Sequence, residues 1–392
     1  MTATTTAATS RTEYTAKSLV FTVSDLRERV RQCLTIIPRK VQAAEYAAVR
    51  IEATGDRVTM FAACNGRQVL ADVRSGEASE DMVLAVNAAD LAAAIKTAPK
   101  ASCVTLAVST DTVTVTTDTS AVTLDLTDWA DIPAEPITVT GAAYTIAADE
   151  LLPALKRVIP IAGKIASRYA MDAVNFNTDH DTGAVYLEAT NGHHLAAVRC
   201  EYLTTDRGPT VAILAEDCKV FLKLKTPKFE AVRIASNESV AAITADGVTL
   251  TLQVREGVFP DAWSVIPAPT PTVITVPGDE LATACKRAKA IAPADPDACK
   301  ESSICFTVCG WAVRLEATRY TSGEACDAES RSVIALSGAT YVGDVPKVRI
   351  PTTAIGDVTK GLGDVRVYLD TASRPLLITG DAMTYVVMPL SG

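Results

Sequence analysis

Three stretches of this chain share one order of apolar and polar positions. In Phe21–Cys33, Tyr144–Val158 and Ile274–Ala288 a short β-favouring run leads to an acid, a leucine and then an amphipathic basic run. Leu26, Leu151 and Leu281 are equivalent, 125 and then 130 residues apart. That spacing is domain-sized and far longer than a solenoid or propeller repeat of roughly 20–50 residues. In the first copy Leu26, Val30, Cys33, Leu34 and Ile37 fall on one helical stripe, and in the second Leu151, Leu155, Val158 and Ile159 do so. Ser24 or Asp25, Asp149 and Asp279 are expected as caps or first-turn acids of the three helices.

Alternating hairpin patterns follow each helix, at 47–73, 171–200 and 303–329, with turns expected at Asn65–Gly66 and Asn191–Gly192. A second helix is expected over 86–98, 211–225 and 348–362, and closing strands follow each. Pro- and Thr-rich linkers near 133–143 and 267–273 separate the copies. The pattern predicts an α+β chain of three tandem domains, 18–138, 139–268 and 269–392, each with two helices packed on antiparallel sheet. A disordered tail is expected over 1–17.

Composition adds limits. Apolar residues at 48% and charged residues at 21% allow a core in each copy, while aromatics at 5% favour sheets packed by Val, Ile and Thr. No apolar run is long enough for a membrane span and no signal peptide is evident, so a cytoplasmic location is expected. The ten cysteines lack a C-x-x-C pair and read as small buried hydrophobes. His180, His193 and His194 are the three histidines. His193 and His194 follow the Asn-Gly turn, where alternation predicts one packed and one exposed ring. With no nucleophile–base pairing, phosphate loop or metal-ligand spacing, no enzyme, cofactor or metal is expected.

The net charge of −9 argues against nucleic-acid binding over the whole surface. The basic residues nonetheless cluster on the expected helices and their exits. Arg27, Arg31, Arg39, Lys40, Lys96, Lys164, Arg168, Lys223 and Lys289 are the candidates for a shared surface that meets phosphates without reading bases. The alternative is that these are the ordinary solvated faces of amphipathic helices.

Four segments carry a resemblance. Residues 189–196 (ATNGHHLA) resemble the ATDGHRLA signature of the bacterial DNA polymerase III beta subunit, the sliding clamp. Residues 259–267 (FPDAWSVIP) are similar to that family's FPDYRRVIP, residues 385–390 (YVVMPL) to its YVVMPMRL ending, and residues 168–171 (RYAM) to its RYYL-like segment. The resemblance implies a head-to-tail homodimer forming a six-domain ring around double-stranded DNA, a processivity factor for replication. It also implies a hydrophobic cleft for short peptides of the DNA polymerase III catalytic subunit, the clamp loader and other partners. Carried over by motif, the cleft comprises Met171, Thr190, Gly192, His193, His194, Leu195, Pro260, Ser264, Val265, Val386, Met388, Pro389 and Leu390. Ring closure would place Val122 and Leu124 of one subunit against the region of Ala290 and Ile291 of the other. The sequence departs from the family pattern at Asn191, His194 and Trp263–Ser264, and at Leu390-Ser391-Gly392, which implies a divergent member with altered partner preference. The alternative is a clamp-fold regulatory protein that binds replication partners without encircling DNA.

Overall fold

A computed structural model describes residues 17–38, 40, 44–128, 135–164, 169–179, 181–204, 208–224, 230–291, 303–320, 328–351 and 355–390. The expected tail, apart from Lys17, lies outside them. The first copy runs β1 (Lys17–Thr22), α1 (Val23–Cys33), β2 (Ala48–Thr54), β3 (Arg57–Cys64), β4 (Arg67–Asp72), β5 (Glu77–Ala78), β6 (Met82–Asn87), α2 (Ala88–Ile95), β7 (Cys103–Val108), β8 (Thr112–Thr116) and β9 (Ala121–Asp125). The second runs β10 (Ala143–Ala147), α3 (Ala148–Val158), β11 (Ala173–Asp179), β12 (Ala184–Thr190), β13 (His194–Glu201), β14 (Val211–Leu214), α4 (Ala215–Leu224), β15 (Ala231–Ser236), β16 (Val240–Ala245) and β17 (Val248–Gln253). The third runs β18 (Val273–Pro277), α5 (Gly278–Ile291), β19 (Ser303–Cys309), β20 (Ala312–Tyr320), β21 (Ala328–Leu336), β22 (Thr340–Val342), β23 (Arg349–Pro351), α6 (Ile355–Thr359), β24 (Asp364–Tyr368), β25 (Leu376–Gly380) and β26 (Met383–Val387). One element order therefore recurs three times, except that among the described residues a single strand, β14, precedes α4 where two precede α2 and α6.

The chain divides into two compact units, Met1–Ile137 with Gly247–Leu250, and Thr138–Asp246 with Thr251–Gly392. In the first unit β5-β1-β7-β8-β9 form one sheet, and β4-β3-β2-β6 are neighbours in another. The second and third copies share the second unit. There β14-β11-β12-β13-β26-β25-β24-β18-β22 form one nine-stranded sheet, continuous because β13 pairs with β26 antiparallel. β10, β15 and β16 pair in sequence, and β21-β20-β19-β23 form a four-stranded sheet.

Three expectations change. The hairpins are three-stranded meanders, with Asn65 and Gly66 both in the left-handed region at φ 51° and 73° between β3 and β4. The second helices are shorter than expected, because their first apolar residues are strands: Val211–Leu214 is β14 and Arg349–Pro351 is β23. A short apolar run carries no periodicity that separates a buried strand from a buried helix. α1 ends at Cys33, so Leu26, Val30 and Cys33 are buried while Leu34 and Ile37 lie beyond the helix, half-buried.

The first-turn acids have a shared task. Asp25 accepts the Ser75 backbone N–H at 2.9 Å, Glu150 that of Glu201 at 2.8 Å, and Glu280 those of Ser337 and Gly338 at 2.5 and 2.9 Å. Each acid directly precedes Leu26, Leu151 or Leu281, and each reaches the end of the third meander strand of its own copy. For the second and third copies the tethering acid thus lies one position after the Asp149 and Asp279 expected from the sequence. Asp279 instead accepts the Gly361 N–H at 2.9 Å. Asp25→Asn should cost about 1–2 kcal/mol, the range of a partly exposed hydrogen bond to a charged group. Urea unfolding of the variant checks this, and an unchanged midpoint would refute the tether.

Five of the eight described cysteines are buried, as expected of small apolar side chains, and Cys103 and Cys309 are exposed. Burial pushes the Cys33, Cys200 and Cys285 thiols up to about 12, so they stay protonated at neutral pH. No described helix is long and apolar enough to cross a membrane.

Candidate functional site

Register across the nine-stranded sheet places Thr190, Leu195, Val386, Leu377 and Tyr368 in one row over β12, β13, β26, β25 and β24. Facing side chains in such a row point to the same side of the sheet. Leu195, Leu377 and Val386 are buried there together with Ala262, and Phe259, Ile266 and Tyr368 pack on them half-buried. The segment 259–266 therefore lies over an apolar floor built from both the second and the third copy. Three of the four motif segments converge at this place. The fourth reaches it through Met171, whose carbonyl accepts the Gly163 N–H at 2.7 Å, while Gly163 also donates to the Thr190 carbonyl.

The expected cleft residues divide by exposure. Leu195 and Val386 form the closed floor at 4% exposure each, whereas Val265 at 58% and Met388 at 41% stand open to solvent. His193, Gly192 and Ser264 are exposed, and Met171, Pro260, Pro389 and Leu390 are half-buried. Met388 is held by its N–H on the His193 carbonyl at 2.9 Å, and Leu390 by its N–H on the Arg349 carbonyl at 2.8 Å. Between β12 and β13 the Asn191 carboxamide oxygen accepts the His193 and His194 N–H groups at 3.0 and 2.8 Å, and Gly192 turns at φ 88°. The Thr190 hydroxyl donates to the His194 carbonyl at 2.7 Å. The turn requires only an acceptor oxygen, so asparagine serves where the family pattern has aspartate.

His194 is a correction to the expected lining. It stands opposite Val387, one position along from the Leu195–Val386 pair, so its ring points to the other face of the sheet. There it is buried and stacked on Tyr385, with Nδ1 and the Tyr385 hydroxyl 2.7 Å apart. Burial, reinforced by neighbouring His193, pulls the His194 pKa down to about 4. Burial pushes Tyr385 well above the ordinary phenol range, so at neutral pH an uncharged phenol and an uncharged imidazole share this hydrogen bond. The expected alternation is met, with His194 packed and His193 exposed.

The basic candidates also divide. Lys40, Lys96, Lys164, Lys223 and Lys289 are exposed, whereas Arg39 and Arg168 lie outside the described residues. Arg27 is half-buried and donates to the Ile95 and Ala98 carbonyls at 2.5 and 2.8 Å, fastening α1 to the end of α2. Arg31 is ion-paired with Glu28 on its own helix. These two arginines thus have local work that sequence periodicity does not reveal. Lys286, Lys289 and Lys360 line a cavity of about 500 Å³ beside α5, together with Asp279 and Asp357.

At the subunit-interface candidates, Leu19, Leu106, Val115 and Val122 form a row across β1, β7, β8 and β9. The first three are at most 1% exposed, but Val122, on the edge strand, is 37% exposed. Leu124 is half-buried, Ala290 is exposed, and the Ile291 side chain lies outside the described residues.

No protein-family model matches the sequence, and no curated protein matches it. Solved structures do. The DNA polymerase sliding clamp of Bacillus subtilis is 17% identical, with a TM-score of 0.82 over 96% of this chain and 100% of that one. The DNA polymerase III subunit beta clamps of Bartonella birtlesii and Pseudomonas aeruginosa, both bound to griselimycin, are 20% and 17% identical. Their TM-scores are 0.80 and 0.82, each over 96% of this chain and 99% and 100% of theirs. Over nearly its whole length, this chain has the fold of the bacterial DNA polymerase III beta sliding clamp.

Proposed function

We propose that this chain is a non-enzymatic DNA sliding clamp, a divergent one, built of three domains per subunit and closing as a head-to-tail dimer around duplex DNA. The likeness in fold to clamps over nearly the full chain carries this reading, and the thrice-repeated element order supports it. The exposed lysines at 40, 96, 164, 223 and 289 are taken as the inner, phosphate-facing surface. Loose contacts of that kind hold DNA without fixing a register, which permits sliding. A chain of net charge −9 would confine that attraction to one surface and repel DNA elsewhere.

The apolar floor under 259–266 is taken as the cleft that tethers the polymerase, the clamp loader and other partners by short apolar peptide segments. Open Met388 and Val265 over buried Leu195 and Val386 support that role, since a thioether side chain adapts to several partners. Griselimycin, bound by the two clamps named above, is the first probe for this cleft.

Retention on DNA tests the central claim. Protein assembled on a nicked circular plasmid should co-elute with it in high salt and be lost once the plasmid is linearised. Equal retention on both forms, or none on either, favours a clamp-fold regulatory protein that binds partners without encircling DNA.

A further inference from the structure

We propose that Glu188 is the positioning residue of the cleft, holding the wall at 263–265 in place through the indole of Trp263; as a statement about partner binding, this rests on the cleft assignment above.

Glu188 sits in the middle of β12, opposite Asn175 on β11 and Ala197 on β13, and is 1% exposed. A carboxylate at such a place is costly unless hydrogen bonds replace its water. Three neutral N–H groups do so. Asn175 Nδ2 donates to Oε2 at 2.9 Å, and Asn177 Nδ2 and Trp263 Nε1 donate to Oε1 at 3.1 and 2.8 Å. Burial raises the Glu188 pKa while these donors oppose the rise. Two donors come from the neighbouring strand and are fixed by the sheet. The third arrives from a segment 75 residues along the chain.

Trp263 opens the one-turn helix Trp263–Val265. Its indole meets Tyr186 edge-on, with centroids 4.8 Å apart and an interplanar angle of 82°. Tyr186 and Glu188 are two residues apart on β12 and share a face, so the ring is gripped by one strand at its flank and at its N–H. The preceding Ala262 is buried in the floor, and Asp261 accepts the Trp263 N–H and the Ser264 hydroxyl. The wall is thus anchored at Ala262 by packing and at Trp263 by the carboxylate, with Val265 presented at its open end. The indole itself lines a cavity of about 530 Å³, together with Asn177, Thr178, Asp179, Asp181 and Tyr186. If the indole were released, that space would give the ring room to swing and Glu188 a route to water. Trp263 occupies a position where the resembling family pattern has arginine. An arginine there would neutralise Glu188; the indole leaves the charge in place and uses it as a directional anchor.

The test combines amide hydrogen exchange with binding of griselimycin, on the full chain. Glu188→Gln removes the charged acceptor, and Trp263→Phe removes the N–H while keeping a ring on Tyr186. Each variant should raise exchange over 259–267 about tenfold or more, as loss of a charge-assisted hydrogen bond implies, with β11–β13 unchanged. The double variant should be no worse than Trp263→Phe alone, because both changes break one link. Unchanged exchange in the wall, or an equal rise through β11–β13, overturns the proposal. Griselimycin affinity should fall about tenfold in the same variants, the equivalent of about 1.4 kcal/mol. If the wall loosens as expected but wild type and variants bind griselimycin equally, or none binds it, the partner-site reading falls while the anchoring of 263–265 by Glu188 stands.

Discussion

Lowering the pH from 7 to 4 should remove about 3 kcal/mol of stability from the unit holding the second and third copies, through His194 alone. In the unfolded chain this histidine takes up a proton near 6.5, whereas in the fold it does so only near 4. Between these values the unfolded chain binds more protons than the native one, so stability rises with pH there. The contribution is complete above about 6.5, falls as the pH drops towards 4 and is gone below it. The local cause is burial, which makes a charged imidazole costly where the ring stacks on Tyr385. Glu188, with a raised pKa, acts in the opposite sense on acidification, so the test must be a difference. Urea midpoints for wild type and His194→Gln at pH 7, 5.5 and 4.5 provide it. The variant should lose distinctly less stability over that range, and parallel curves would refute the assignment.

Val122→Asp combined with Leu124→Arg should abolish retention on nicked circular DNA. The apolar row from Leu19 to Val115 is sealed within its sheet, and its last member on the edge strand β9 is open. Val122 is therefore the member of the row left for the subunit contact of the proposed ring. In the proposed ring Val122 and Leu124 meet the region of Ala290 and Ile291 of the other subunit. Placing charges in a buried contact of this kind costs about 3–5 kcal/mol, or two to three orders of magnitude in dimerisation. Light scattering should show the doubly substituted protein as a monomer with its circular dichroism unchanged. A dimer of undiminished strength would place the interface elsewhere.

The legible part of the fold was its periodic part. Leu26, Leu151 and Leu281 announced three equivalent helices, because a stripe at helical spacing reports which face is buried whatever buries it. Asn65–Gly66 and Asn191–Gly192 announced turns because few residues accept positive φ. The second helices were overextended where short apolar strands preceded them. Within the candidate site, the convergence of residues 189–196, 259–267 and 385–390 was available only through resemblance, since nothing local in any of them refers to the others. Trp263 read as a departure from a family pattern, and its anchor Glu188 was not singled out at all. An acid on a strand gives no sign of burial until its donors, here from β11 and from a segment 75 residues later, are in place.

The sequence by itself determined the threefold element order, the turns and the alternation that packs one of two adjacent histidines. These depend on spacing along the chain, which local sterics and period convert directly into structure. Tertiary structure alone decided which sides those residues take. It turned His194 to Tyr385 and Leu195 to the apolar floor under 259–266, assigned Glu150 and Glu280 rather than their neighbours as tethers, and spent Arg27 on α2. Each choice depends on the pairing of β13 with β26, on a strand end brought back to a helix start, or on the end of α2 set against α1. Such contacts are set by the balance of burial and hydrogen bonding across distant strands, and no window of sequence contains both partners.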